Sequence, residues 1–344
     1  MMNGIPFHIA RWDLDKTYLR TEFDTVKDLI RTALERADEK RTNPGASTLL
    51  REMGAAGVAV HILSGSPEQM RSRLEDKLRL DGITWESFTL KPNLKNMLRL
   101  RFRALRDQLG YKLPALLESC AQAPKEVVEA GILETLFGDD AEADAFVYSL
   151  YADVVSGRVS TRELEKVCEG GRVYEDVAEK IATDAARIPK RNVVERVLIH
   201  LEGQSPPDDF GVYGMRVVPF YNYLQAAFVV FEDGRVPAES VLRVAVELVV
   251  QHRFDGDGLA RSYAELARRG HLRGIRISEL ADSIETWARP RNAAALPELE
   301  DMVKKLPAYA AKAAEAYRGH EVNEPPDYAE LVLHHNKRKK KKKT

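Results

Sequence analysis

The chain reads as an α/β protein built on a doubly wound parallel sheet, and three observations lead there. Val58-Ala59-Val60-His61-Ile62-Leu63 is a continuous apolar run of strand length, as a parallel strand buried on both faces requires. It is preceded by a short first strand and a helical stretch, and strand, helix, strand in that order builds a parallel sheet. Asp13, Ser64 and Asp139 each come directly after a strand candidate, which collects polar chemistry at the carboxyl edge where such sheets bind ligands.

Residues 6 to 12 form a first strand, ending less apolar than a central strand prefers because of Arg11 and Trp12. Asp24 to Arg41 is helical, with Val26, Leu29, Ile30, Ala33 and Leu34 on one face, and Asn43-Pro44-Gly45 breaks it. Ala46 to Met53 is a short helix stopped by Gly54, and the strand at Val58 to Leu63 comes next. Ser66-Pro67 starts a helix, with an N-cap serine, proline at the first helical position and Gln69 at the third. Tyr111 to Cys120 and Pro124 to Ala130 are helical, and Ile132 to Phe137 is a thin strand running into an acidic cluster. Ser160-Thr161-Arg162-Glu163 is a capping box opening helical structure to about Arg187, within a helical insertion spanning about 150 to 190. Val194 to Leu201 is strand-like, Val217 to Phe231 is a further apolar segment, and from Pro237 onward the pattern is helical.

At 344 residues and 44% hydrophobic, the chain suffices for one large or two smaller domains. The division expected is an α/β domain over 1–254, a helical region over 255–330 and a polybasic tail over 331–344. A mean hydropathy of −0.36 and no apolar stretch near the roughly 20 residues of a span argue against a transmembrane segment. Met1-Met2-Asn3-Gly4-Ile5-Pro6 lacks the pattern of a secretory signal. Cys120 and Cys168 read as free thiols of a reducing compartment, so a cytoplasmic location is expected. The net charge of −1 conceals the basic run at 337–343, which leaves the rest of the chain acidic. Such a run is expected to be disordered. It would either attract anionic membrane or nucleic acid from the periphery or serve only solubility.

The chemistry rests on an ordered set. Asp13-x-Asp15-x-Thr17 comes first, then Ser64-Gly65-Ser66-Pro67, then a lysine, then Gly138-Asp139-Asp140-Ala141-Glu142-Ala143-Asp144. Each part alone is a weak signal, since an acidic turn is often only a helix cap. In this order the set resembles the four motifs of the haloacid dehalogenase superfamily of phosphatases. Within it the set is most similar to the actin-patch-associated phosphatidate phosphatases and their bacterial relatives, through Ser64-x-Ser66-Pro67, Tyr111-Lys112, and Gly138-Asp139 with Glu142, Asp144 and Tyr148 after it. The likeness covers about residues 7 to 150, extends through about 190 to 250 and leaves the C-terminal quarter unmatched, and Arg11-Trp12 departs from the apolar pair usual before the first aspartate.

The resemblance implies a Rossmann-like sheet of haloacid dehalogenase type and a Mg²⁺-dependent phosphomonoester hydrolase. Asp13 would be the nucleophile, forming an aspartyl-phosphate. Asp15 would protonate the leaving oxygen and then activate water. Thr17 would support the loop and Ser64 would bond a phosphoryl oxygen. Mg²⁺ would be held by Asp13, the Asp15 carbonyl and Asp139, with Asp144 holding a metal-bound water and Asp140 competing for that duty. The lysine offsetting charge on the transition state would be Lys112, with Lys91 and Lys95 as alternatives.

No inserted segment has the look of a folded cap, so a bulky phosphorylated substrate is expected: phosphatidate, or alternatively a nucleotide or polynucleotide. A reading of another class keeps the chain as a catalytically idle α/β scaffold that binds a partner through its helical C-terminal region. Other residues read as structural. His61 is a satisfied core histidine, and His334-His335 has no third metal ligand in register. Asp255-Gly256-Asp257-Gly258 is a turn before a helix, and Tyr221, Tyr223 and Phe228 belong to the core.

Overall fold

The computed structural model describes residues 7–20, 41–91, 105–316 and 324–341. The helix expected at Asp24 to Arg41 falls almost wholly outside these residues, as does Lys95. The elements in order are β1 (Ile9–Trp12), α1 (Ala46–Ala55), β2 (Ala59–Pro67), a 3₁₀ turn (Glu68–Met70), α2 (Arg71–Leu80), β3 (Ser87–Lys91), α3 (Leu105–Leu109), α4 (Lys112–Ala121), α5 (Lys125–Glu129) and β4 (Glu134–Asp139). They continue as α6 (Asp144–Ser156), α7 (Thr161–Gly171), α8 (Glu175–Arg187), β5 (Val194–His200), a 3₁₀ segment (Pro207–Tyr213), β6 (Val217–Phe220), α9 (Tyr223–Glu232), α10 (Ala238–His252), α11 (Gly256–Arg268), α12 (Ile277–Ser283), a π turn (Ile284–Ala288), α13 (Leu296–Ala316) and α14 (Tyr328–Lys341).

The strands form one parallel sheet in the order β3-β2-β1-β4-β5-β6. This is the doubly wound, Rossmann-like order, which reverses direction between β1 and β4 and opens a crevice beyond their carboxyl ends. Successive strand residues face opposite sides, so Phe137 and Leu198 enter one core while Leu136, Val197 and Ile199 enter the other. The first core gathers α1, α2 and the helices from α9 to α13, through residues such as Leu49, Leu74, Phe228, Leu242, Leu259 and Met302. The second gathers α4, α6, α7, α8 and the start of α14, through Leu113, Val147, Leu164, Ile181 and Val332.

Arg11 and Trp12, unexpected at a central strand end, are both accommodated. The Arg11 guanidinium pairs with Glu134 and donates to Ser119 Oγ at 2.9 Å. Trp12 stacks on Phe137, with ring centroids 3.9 Å apart. His61 bonds Ser87 Oγ through Nδ1 at 2.7 Å. Burial and nearby Arg11 lower its pKa to about 4, so the ring is neutral.

Several elements differ from the sequence expectation. Helical structure begins one residue later than expected: β2 runs through Pro67, which stands at the N-cap of the 3₁₀ turn leading into α2, and the Ser66 hydroxyl is spent on Asp15 rather than on the helix end. Helix α1 runs past Gly54 to Ala55, and Gly57, at φ 91°, takes the left-handed position after its end. Edge strand β3 was not expected. The apolar stretch from Val217 splits into β6 and α9, because the Asn222 side chain accepts from Gln225 N and caps α9. Tyr221 is exposed rather than in the core, while Tyr223 and Phe228 are buried as expected. The segment expected to be disordered from 331 instead continues α14 to Lys341. Tyr328 donates to Asp153 Oδ2 at 2.6 Å, and Val332 is buried in contact range of Gly170. Among the described residues no helix is long and apolar enough to cross a membrane.

Candidate functional site

The two strands flanking the crevice deliver the acidic side chains. Asp13 comes directly after β1, and its N–H donates to Phe137 O at 3.0 Å, extending the β1–β4 ladder by one residue. Asp139 ends β4, and Asp144 opens α6. All three are fully buried. Each offers one carboxylate oxygen lying within 4.8 Å of the others, the arrangement needed to share one cation.

The turn after β4 is shaped for this. Asp139 Oδ1 accepts from the N–H groups of Ala141 and Glu142 at 2.7 and 2.9 Å, curling the chain back. Asp144 Oδ2 accepts from Asp139 N at 3.2 Å. Gly138 makes room: a Cβ there would sit 2.5 Å from Asp144 Oδ2 and 2.6 Å from its Cβ.

The loop after β1 is held from three sides. Asn43 Nδ2 donates to the carbonyls of Lys16 and Thr17 at 3.1 and 2.7 Å, and Tyr223 donates to Thr17 O at 2.6 Å. His200 Nδ1 lies 3.4 Å from Lys16 O. Lys16 has φ 62°, a turn conformation few side chains adopt without such support. Thr17 Oγ1 points inward, 3.3 Å from Asp13 Oδ2 and 3.5 Å from Asp139 Oδ2.

Lys112, fully buried at the start of α4, is the lysine brought to the cluster. Its ammonium lies 3.1 Å from Asp13 Oδ1, 3.1 Å from Glu142 Oε2 and in contact with Asp144 Oδ1. Lys91 ends β3, at the far edge of the sheet.

Asp15 is brought to Ser64. Ser64 Oγ donates to Asp15 Oδ2 at 2.8 Å, and Ser66 Oγ reaches both Asp15 oxygens, at 2.9 and 3.1 Å. Asp140 is turned away from the cluster, which corrects its reading as a metal ligand. Its carboxylate accepts from the N–H groups of Gly203 and Ser205 at 2.5 and 2.8 Å and ties down the loop after β5.

Electrostatically the site is overloaded with acid. Burial, then the neighbouring carboxylates, hold the Asp13 and Asp139 pKa values well above the carboxylate range, with Lys112 opposing. Burial pushes Asp144 up to about 6 against the pull of Lys112. Asp15 is raised by burial and by Glu142, with the two serines opposing. Lys112 is driven the other way: burial would discharge it, but Asp13 and Asp144 outweigh that and hold it firmly charged. Asp13 Oδ1 faces Lys112 only as an ion pair and receives no directed hydrogen bond. A buried carboxylate oxygen in that state, beside two more oxygen donors, fits a hard divalent cation of the magnesium or calcium kind.

Three contributors to the site were not placed in it from the residues alone. Ser66 was legible in principle, since residues i and i+2 of a strand share a face and Ser64 already pointed there. Glu142 and Asn43 had no local signal of their function, because the groups they meet are 30 and 26 residues away.

Comparison of the chain with protein-family models, curated proteins and solved structures returns no match.

Proposed function

We propose that this protein is a phosphomonoester hydrolase of the haloacid dehalogenase type, dependent on a divalent cation, Mg²⁺ by preference, and working through an aspartyl-phosphate. The observation that carries the reading is the meeting of Asp13, Asp139, Asp144 and Lys112 beyond β1 and β4, four residues drawn from three distant parts of the chain. A cation held by Asp13, Asp139 and Asp144 would supply the charge neutralisation that lets an anionic phosphate approach an anionic nucleophile.

In this reading Asp13 attacks phosphorus and Lys112 offsets charge on the equatorial oxygens. Asp15, whose raised pKa suits a proton donor, delivers its proton to the departing oxygen. The same carboxylate then takes a proton from the water that cleaves the aspartyl-phosphate. Ser64, bonded to Asp15 in the free protein, would turn to a phosphoryl oxygen. Thr17 fixes Asp13. The substrate class proposed is bulky and anionic, with the basic residues of α14 favouring an anionic surface.

The test is hydrolysis of an aryl phosphate in Mg²⁺ by wild type, Asp13→Asn and Asp15→Asn. Turnover by wild type that falls by about 10³-fold or more in Asp13→Asn is expected, and phosphatidate vesicles against a 5′-phosphorylated oligonucleotide then sort the substrate. Absence of turnover with every divalent cation and all three substrates would return the chain to the idle-scaffold reading.

A further inference from the structure

Lys112 is fully buried, carries a charge and sits at a break between two helices. Something must stop its long, flexible side chain from collapsing onto whichever carboxylate is nearest. Two of its partners, Asp13 and Asp144, are the proposed cation ligands, and a bound divalent ion would draw their charge away from the ammonium. Its third partner is Glu142, at 3.1 Å, outside that group of ligands.

Glu142 is itself fixed from two directions. Its backbone N–H is held by Asp139 Oδ1 at 2.9 Å, and its Oε2 accepts from Gln108 Nε2 at 2.5 Å. Gln108 lies on α3, four residues before Lys112, so one glutamate oxygen receives donors from both sides of the helix break. The bridge therefore ties the acidic turn after β4 to the start of α4 at the point where Lys112 emerges. Glu142 keeps only about a tenth of its side chain exposed, where a charge-assisted bond is stronger than it would be in water.

We infer that Glu142 is a positioning residue that holds the Lys112 ammonium over Asp13 when the cation is bound, with Gln108 anchoring Glu142. The inference rests on the phosphatase reading for its catalytic consequence, but the Glu142–Lys112 coupling itself does not depend on that reading.

The experiment is a double-mutant cycle of Glu142→Gln and Lys112→Met, alone and together, with Gln108→Leu as an independent probe of the anchor. Each variant is followed by steady-state kinetics on an aryl phosphate and by urea unfolding. Glu142→Gln should lower kcat by about ten- to a hundredfold with KM and the Mg²⁺ requirement nearly unchanged. It should have no further effect on kcat once Lys112 is methionine, because its action passes through that ammonium. Gln108→Leu should lower kcat in the same sense by a smaller factor. Additive kinetic effects of the two substitutions, or a rise in KM with kcat preserved, would overturn the inference. If wild type turns nothing over, the unfolding cycle decides alone: non-additive stabilities support the coupling while the phosphatase reading fails, and additive stabilities reject the coupling.

Discussion

At the residue scale, the site is governed by how closely Asp144 approaches the backbone of Gly138. Its carboxylate is fixed at both oxygens, by Asp139 N and by Lys112, so it has no freedom to retreat from a new methyl group. Gly138→Ala is therefore expected to cost about 1–3 kcal/mol, the range for overpacking, and to abolish the stabilisation by Mg²⁺ that the proposed function entails. Thermal melts with and without the ion check this, and an alanine variant that retains the full metal response would show that Asp144 is not placed by that contact. Ser66 shows the same logic in reverse. Its sequence neighbours make it a candidate helix cap, but a buried carboxylate from the loop after β1 offers its hydroxyl a stronger partner.

At the scale of elements, α14 departs furthest from the expectation. Lysine-rich composition suggests disorder, and that argument holds only while nothing apolar can be buried. Tyr328 and Val332 supply a buried edge, and Gly170 on α7 leaves the space into which Val332 fits. Ending the chain after residue 324 is expected to cost about 3–6 kcal/mol, from two buried side chains at roughly 1.5–3 kcal/mol each. Ending it after residue 334 should cost under about 1 kcal/mol, since Tyr328 and Val332, the side chains that dock α14, are both kept. Urea midpoints of the two truncations make the comparison, and equal midpoints would mean that the docking of α14 contributes nothing.

At the scale of the whole molecule, folding brings mutually repelling carboxyl groups into a place without water. The raised pKa values of Asp13, Asp139 and Asp144 mean that the native state binds protons more tightly than the unfolded chain. For Asp144 that contribution is favourable below the unfolded value of 3.8 and is lost as pH climbs through about 6, while Asp13 and Asp139, also raised by burial, keep theirs until pH passes their own elevated values. A bound divalent ion needs these groups ionised, so protons compete with it over the same window. The gap between melting temperatures in Mg²⁺ and in chelator should thus widen as pH rises through about 6, where Asp144 ionises. In Asp139→Asn the gap should be small at every pH. A gap that narrows as pH rises would contradict a carboxylate-held cation.

The parallel character of the sheet, its inner strands and the edge at which Asp13, Ser64 and Asp139 emerge were readable from apolar runs and from the polar residue that ends each run, because these signals are local; the outer strands β3 and β6 were not. The partner of each polar group was not readable. Asp140 and Asp144 are alike in sequence, yet one secures the loop after β5 and the other faces the cluster, since the turn after β4 points successive side chains in different directions. Lys112 could be favoured over Lys91 by its position before a helix, but only the return of α4 toward β4 brings its ammonium among the acids. Local pattern determines which segments become strands and helices; which charges must share one dry crevice is decided by packing, because only there is an unpaired group costly enough to dictate its neighbours.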